Sequence, residues 1–121
     1  MTQEDKDLLL KDLCTRLPYK VYAQISDKCC DYTSAIESID IDGFVKDFEG
    51  TQIEIENIKP YLFPMSNMTE EQFNEHWELE HSGDMEHLSI PALDWLNKNH
   101  FDYRGLIGKG LAIDATGLNI Y

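Results

Sequence analysis

A chain of 121 residues with 42% hydrophobic composition holds enough apolar material for one ordinary globular core, so a single domain over residues 1–121 is expected. Its 23 acidic side chains against 10 basic ones give a formal net charge of −13, which repels nucleic-acid phosphates and anionic lipid and argues against direct nucleic-acid or membrane binding. No apolar run approaches the roughly 20 residues that cross a bilayer. The acidic amino-terminal dozen residues lack the pattern of a signal peptide, and three cysteines (Cys14, Cys29 and Cys30) form no paired framework, so the expected setting is a reducing cytoplasm.

Thr2 followed by Asp5 and Asp7 reads as a helix start, with carboxylates near the positive end of the helix dipole. Leu10, Leu13, Cys14 and Leu17, with Leu9 beside them, repeat at helical spacing until Arg16 and Pro18 end the helix. From Tyr19 the period becomes two. Tyr19, Val21, Ala23 and Ile25 alternate with Lys20, Tyr22, Gln24 and Ser26, the pattern of a half-buried strand. Asp27 and Lys28 turn the chain into a second strand, Asp31 to Ile41, with Thr33, Ala35, Ile39 and Ile41 on one side and Glu37 as the awkward member of that face. Asp42-Gly43 is the best hairpin signal, and Phe44, Val45 and Phe48 belong to the returning strand. Ile53 and Ile55 mark a fourth. The result is a small antiparallel meander, with an SH3-like or Sm-like partly closed barrel as one outcome and an open sheet as the other.

The two prolines of IKPYLFPM, Ile58 to Met65, predict an extended surface crossover outside any regular ladder. Thr69 and Gln72 then form a capping box, Met68 and Phe73 a staple, and Gly83 a stop, for a helix that buries Phe73 and Trp77. A further helix starts at the Ser89 cap, tolerates Pro91 in its first turn, and presents Ile90, Leu93 and Leu96, flanked by Ala92 and Trp95, until Asn97, Lys98 and Asn99 end it. A glycine-punctuated stretch through Ile113 adds a tight turn and a short final strand. The expected fold is therefore α+β: an amino-terminal helix, an antiparallel sheet, two carboxyl-proximal helices and a last strand.

Between Lys59 and Lys98 there is no lysine or arginine, while eight acidic residues fall there, so one surface must be strongly negative. His76 and Glu80, spaced i,i+4 with His81 or His87 as a third ligand, suggest a metal-assisted hydrolase, but this is not the HExxH motif and reads more simply as a solvated acidic helix. Asp40, Asp42, Glu54 and Glu56 keep strands soluble rather than forming an acid–base pair. Cys29 would need a base such as His100 to act as a nucleophile, and small, partly buried thiols are the plainer reading of all three cysteines. His100, Asp102, Tyr103 and Arg104 are the densest polar group in an apolar context and mark a candidate pocket; the structural alternative has Asp102 capping the next turn and Arg104 pairing with an acid.

Together IKPYLFPM, the MTEE of Met68 to Glu71, and DWLNKNHFDYRGLIGKGLAID resemble a family of small uncharacterised proteins from gut bacterial and phage or prophage genomes. The likeness runs from Leu13–Val21 to the carboxyl end, is strongest at Asp94 to Ala112, and departs at Gly108 and in the tail ATGLNIY. That family has no assigned activity, so the resemblance implies a prokaryotic or viral intracellular setting and transfers no site residue. The function expected is a non-enzymatic protein–protein interaction module without cofactor. Tyr22, Tyr32 and Tyr61 are its exposed aromatics, beside Glu70, Glu71, Glu75 and Glu78, and a homodimer is one form of the partnership. Two alternatives are an acidic nucleic-acid mimic that blocks a basic DNA- or RNA-binding protein, and the metal-assisted hydrolase.

Overall fold

The computed structural model describes residues 2–26, 31–40, 44–80 and 90–121, with backbone alone for 76, 78–80 and 90–92. The Asp27-Lys28 turn, the Asp42-Gly43 hairpin, the Gly83 stop and the Ser89 cap lie outside the described residues.

Helix α1 spans Gln3–Arg16 and begins with a reciprocal box: Thr2 Oγ1 accepts the Asp5 N–H, and Asp5 accepts the Thr2 N–H. Its buried stripe is Leu9, Asp12, Leu13 and Arg16, one position away from the apolar stripe expected from spacing, and Cys14 is exposed rather than partly buried. Two charged residues pull the helix round, because each finds its partner inside the fold. A 3₁₀ turn at Leu17–Tyr19 ends at Lys20, whose φ of 61° redirects the chain, so strand β1 begins at Tyr22 and runs Tyr22–Ser26. Val21, Ala23 and Ile25 face the core as their alternation requires.

Strand β2, Asp31–Ile39, pairs antiparallel with β1 and then with β3, Val45–Asp47. The β2–β3 register slips between Ile36 and Ser38, so Glu37 is the extra residue of a bulge. That bulge settles the awkward glutamate. Ile36 lies inward with Ala23 and Ile25, Glu37 is sent out, and Ile39 returns to the core side; Thr33 and Ala35 belong to the opposite face. Strand β4 is only Gln52–Ile53, and Ile55 opens a 3₁₀ turn. Phe48 does not join β3. It projects from the β3–β4 turn at 71% exposure, while buried Asp47 organises that turn by accepting the Glu49 and Thr51 N–H groups on Oδ1 and the Tyr32 hydroxyl on Oδ2.

The stretch expected as a surface crossover is instead an inner strand, β5, Ile58–Pro64. It pairs antiparallel with β1 (Ala23 with Pro60, Ile25 with Ile58) and parallel with β6, Phe101–Asp102, and β7, Ile113–Asp114. The prolines are tolerated for positional reasons. N–H and C=O groups alternate in direction along a strand, and Tyr61 C=O and Tyr22 N–H meet the same hydroxyl between β1 and β5, so Pro60 has its missing N–H turned away from β1. Pro64 is the last residue of the strand.

The sheet order is β4-β3-β2-β1-β5-β6, with β7 also on β5; it is open, and mostly antiparallel. The fold is α+β, and the closed barrel is not formed. Leu9 and Leu13 of α1 pack on the sheet with Leu106, Leu111 and Ala112 from the carboxyl-terminal third. A second cluster joins Trp95 and Leu96 of helix α3, Ile90–Lys98, to Phe101, with Phe63, Met68 and Tyr103 against it. Helix α2, Glu70–Glu80, packs on α3. No helix among the described residues is long and apolar enough to cross a membrane.

Candidate functional site

Helix α2 starts at the expected capping box: Gln72 N–H donates to Thr69 Oγ1 and Thr69 N–H to Gln72 Oε1. Its faces differ from the expectation. Phe73 and Trp77, four residues apart, are 57% and 50% exposed, and Glu70, Glu71 and Glu75 are exposed on the same helix. The physical reason is that the second cluster is already filled by Met68, Trp95, Leu96 and Phe101. The Glu78 side chain, like those of His76 and Glu80, and the whole of His81 and His87, lie outside the described residues. Among the described residues no three His, Cys, Asp or Glu side chains gather as metal ligands, and Cys29, the thiol considered as a nucleophile, is also outside them.

The three tyrosines expected at the surface are less available. Tyr22 and Tyr32 are half-buried and Tyr61 is 8% exposed, because β5 is internal to the sheet and Tyr121 lies against it. The Tyr61 hydroxyl meets Thr33 Oγ1 at 3.2 Å. Tyr22 and Tyr32 line a shallow cleft of about 430 Å³ beside Phe48.

Of the residues expected as a pocket, Tyr103 and Arg104 meet around a centre that spacing did not reveal, Asp102 serves the next turn, and His100 borders a groove. Arg16, fully buried, donates from Nε to Asp12 Oδ2 at 2.8 Å and from Nη2 to Phe101 C=O at 2.5 Å, and its guanidinium sits 5.1 Å from the Tyr103 ring centre. Arg104 approaches the other oxygen of Asp12 at 3.7 Å and stacks on the same ring at 4.8 Å. Tyr103 donates to Asn97 Oδ1 at 2.8 Å. Asp102, 8% exposed, accepts the N–H groups of Leu106 and Ile107, both at 2.9 Å, and so holds the turn that carries Leu106 into the core. Arg104 and Asp102 thus perform the structural roles weighed above. The signal for the hidden centre was Asp12 and Arg16 at i,i+4 among leucines.

His100 stands at the rim of this network with φ of 62°. Burial, then the nearby Arg16 charge, lower its pKa from 6.5 to about 4, so the imidazole is neutral near neutral pH. Its ring stacks on Tyr121 with centres 3.5 Å apart, and its Nδ1 has no hydrogen-bond partner among the described residues. Tyr121 is 40% exposed, yet its hydroxyl lies inside the sheet: it accepts the Tyr22 N–H at 3.0 Å and donates to Tyr61 C=O at 2.8 Å. Burial is the main cause that pushes its pKa up to about 12. Beside His100, Phe63, Phe101 and Tyr121 open onto a groove of about 340 Å³ that reaches α2 and the end of α3.

No protein-family model, curated protein or solved structure matches this chain.

Proposed function

We propose that this protein is a non-enzymatic docking module whose α2 face seats on a basic surface of a protein partner. The observation that carries the reading is the pair Phe73 and Trp77, each at least half exposed and one turn apart, on a helix whose described acidic residues Glu70, Glu71 and Glu75 also face solvent. Exposed aromatics one turn apart are the composition of interface anchors; Glu70, one turn before Phe73, adds charge on their side of the helix, while Glu71 and Glu75 fall on the opposite side. A net charge of −13 selects a cationic counterpart. The finer form of this reading is that the carboxylates occupy a groove that otherwise holds nucleic-acid phosphates.

The test compares the wild-type chain with Phe73→Ser/Trp77→Ser as bait for proteins of the native cell, after circular dichroism has established equal melting. A basic protein held by the wild type, released as salt rises and lost with the double variant is the expected result. Equal retention by the variant, or a flat salt response, refutes the reading. A wild-type dimer in sedimentation that the variant abolishes would instead assign the face to self-association.

A further inference from the structure

We propose that the open edge of β2 at residues 31–35 is a docking site for an extended, cationic segment of a partner protein, which joins the sheet as an added strand. The direction of each backbone group along β2 follows from one bond. Ile36 N–H donates to Val21 C=O at 2.9 Å, and the β1–β2 register runs unbroken from Tyr22 opposite Ala35 to Ser26 opposite Asp31. Every second residue, Ser34 and then Tyr32, therefore also turns its N–H and C=O toward β1, and Thr33 and Asp31 turn theirs the other way. On that other side β3 meets β2 between Ile36 and Ile39, and no strand among the described residues lies across from residues 31–35.

The chain after β3 is tied back where the ladder stops. Ser34 Oγ accepts the Phe48 N–H at 3.3 Å and donates to Ala35 C=O at 3.1 Å, which pins the β3–β4 turn at Ser34. A cleft of about 430 Å³ borders the edge, lined by Tyr32, Thr33, Ser34 and Ala35 of β2 and by Phe48 and Glu49 of the turn. Thr33 and Asp31 are exposed there, and residues 31–35 carry neither the proline nor the lysine that blunts a strand edge. The short strands β4, β6 and β7 are two residues each, too short to seat a peptide.

A row of outward N–H and C=O groups is matched by extended backbone, which is why the occupant is a strand and not a compact ligand. Phe48, 71% exposed, offers its side chains an apolar contact at the cleft. Charge selects the sign. Like charges directly opposite one another destabilise a strand pair, so the residue set across from Asp31 is best a cation. The net charge of −13 draws basic segments and repels a second copy of this chain. Lys20, which also lines the cleft, is drawn onto the Tyr22 ring, 5.7 Å from its centre. The edge uses neither Phe73 nor Trp77, so it stands or falls separately from the α2 face.

The probe is the peptide acetyl-Lys-Val-Lys-Val-Lys-Val-Lys-amide, titrated into the full chain and followed at each backbone amide by NMR and hydrogen exchange. Saturable shifts centred on Thr33 and Phe48 are expected, with exchange at the Thr33 amide slowed about tenfold or more. Thr33→Pro removes that N–H without touching the β1 ladder, because the group faces away from β1, and is expected to weaken binding about tenfold or more. Thr33→Val keeps the N–H and is expected to bind as the wild type does. The analogue with glutamate for lysine is expected to bind about tenfold more weakly or not at all. The exchange reading uses the wild-type chain, so it decides the matter even if Thr33→Pro melts early. No saturable shift, shifts centred on α2, unchanged exchange at Thr33, or equal binding of the glutamate peptide overturns the proposal, as does protection of Thr33 that rises with protein concentration alone.

Discussion

Replacing Asp12 by leucine is expected to be among the most damaging single changes in this protein. Asp12 and Arg16 are both 0% exposed and joined at 2.8 Å, and Arg104 stands 3.7 Å from the remaining oxygen of Asp12. Asp12→Leu therefore leaves two cations near one another, with Phe101 C=O and the Tyr103 ring as the remaining support for Arg16. Removing one member of a buried pair costs about 3–5 kcal/mol, a large share of the about 5–15 kcal/mol that holds a domain of this size. Arg16→Met is expected to cost less, about 3 kcal/mol or below, because Asp12 keeps Arg104. The double variant is expected to be more stable than Asp12→Leu alone, with a coupling of about 2 kcal/mol or more between the sites. Urea unfolding followed by circular dichroism measures all three. A loss under about 1 kcal/mol for Asp12→Leu, or simple additivity in the double variant, would refute the argument that the centre is a desolvated charge network.

His100 makes stability depend on pH. Its folded pKa is depressed to about 4 from 6.5, so the unfolded chain binds the proton first; the contribution is complete above pH 6.5 and is lost as pH falls toward 4, by about 3 kcal/mol in all. His100→Asn, which accepts the positive φ, is expected to flatten that slope in thermal melts taken between these values, and an unchanged slope counts against the assignment. Tyr121→Phe removes a hydroxyl that serves Tyr22 N–H and Tyr61 C=O at once, and is expected to cost about 1–2 kcal/mol with faster hydrogen exchange at the Tyr22 amide. Retained protection at Tyr22 would show that β1 and β5 close without the bridge.

The local starts of this fold were legible because their signals are short-range. Thr2 with Asp5 and Thr69 with Gln72 make their caps within four residues, and the period of two in Val21, Ala23 and Ile25 needs only one buried side. What stayed hidden depends on distant partners. β5 looked like a crossover because the prolines are read against the whole strand, whereas only the edge each nitrogen faces matters. β6 and β7 are two residues each, too short to carry any period, and exist because β5 offers them a ladder. The α2 face was misjudged for a similar reason: Phe73 and Trp77 are apolar, but the interior beside them was already occupied by residues up to 28 positions away, such as Phe101 relative to Phe73. The polar residues Asp102 and Arg104 were visible as a cluster, while Arg16, 85 residues before the Phe101 carbonyl it holds, was not.

The clasp made by Tyr121 also bears on how the protein is made. Its two backbone partners are 99 and 60 residues earlier, so this rung between β1 and β5 stays open until residue 121 has been synthesised, and β5 waits likewise for its parallel neighbours. A ribosome-bound chain halted before residue 121 would hold β1 on β5 by the Ala23–Pro60, Gln24–Lys59 and Ile25–Ile58 pairs, leaving the Tyr22 amide and the Tyr61 carbonyl at the end of that ladder open to other nascent strands.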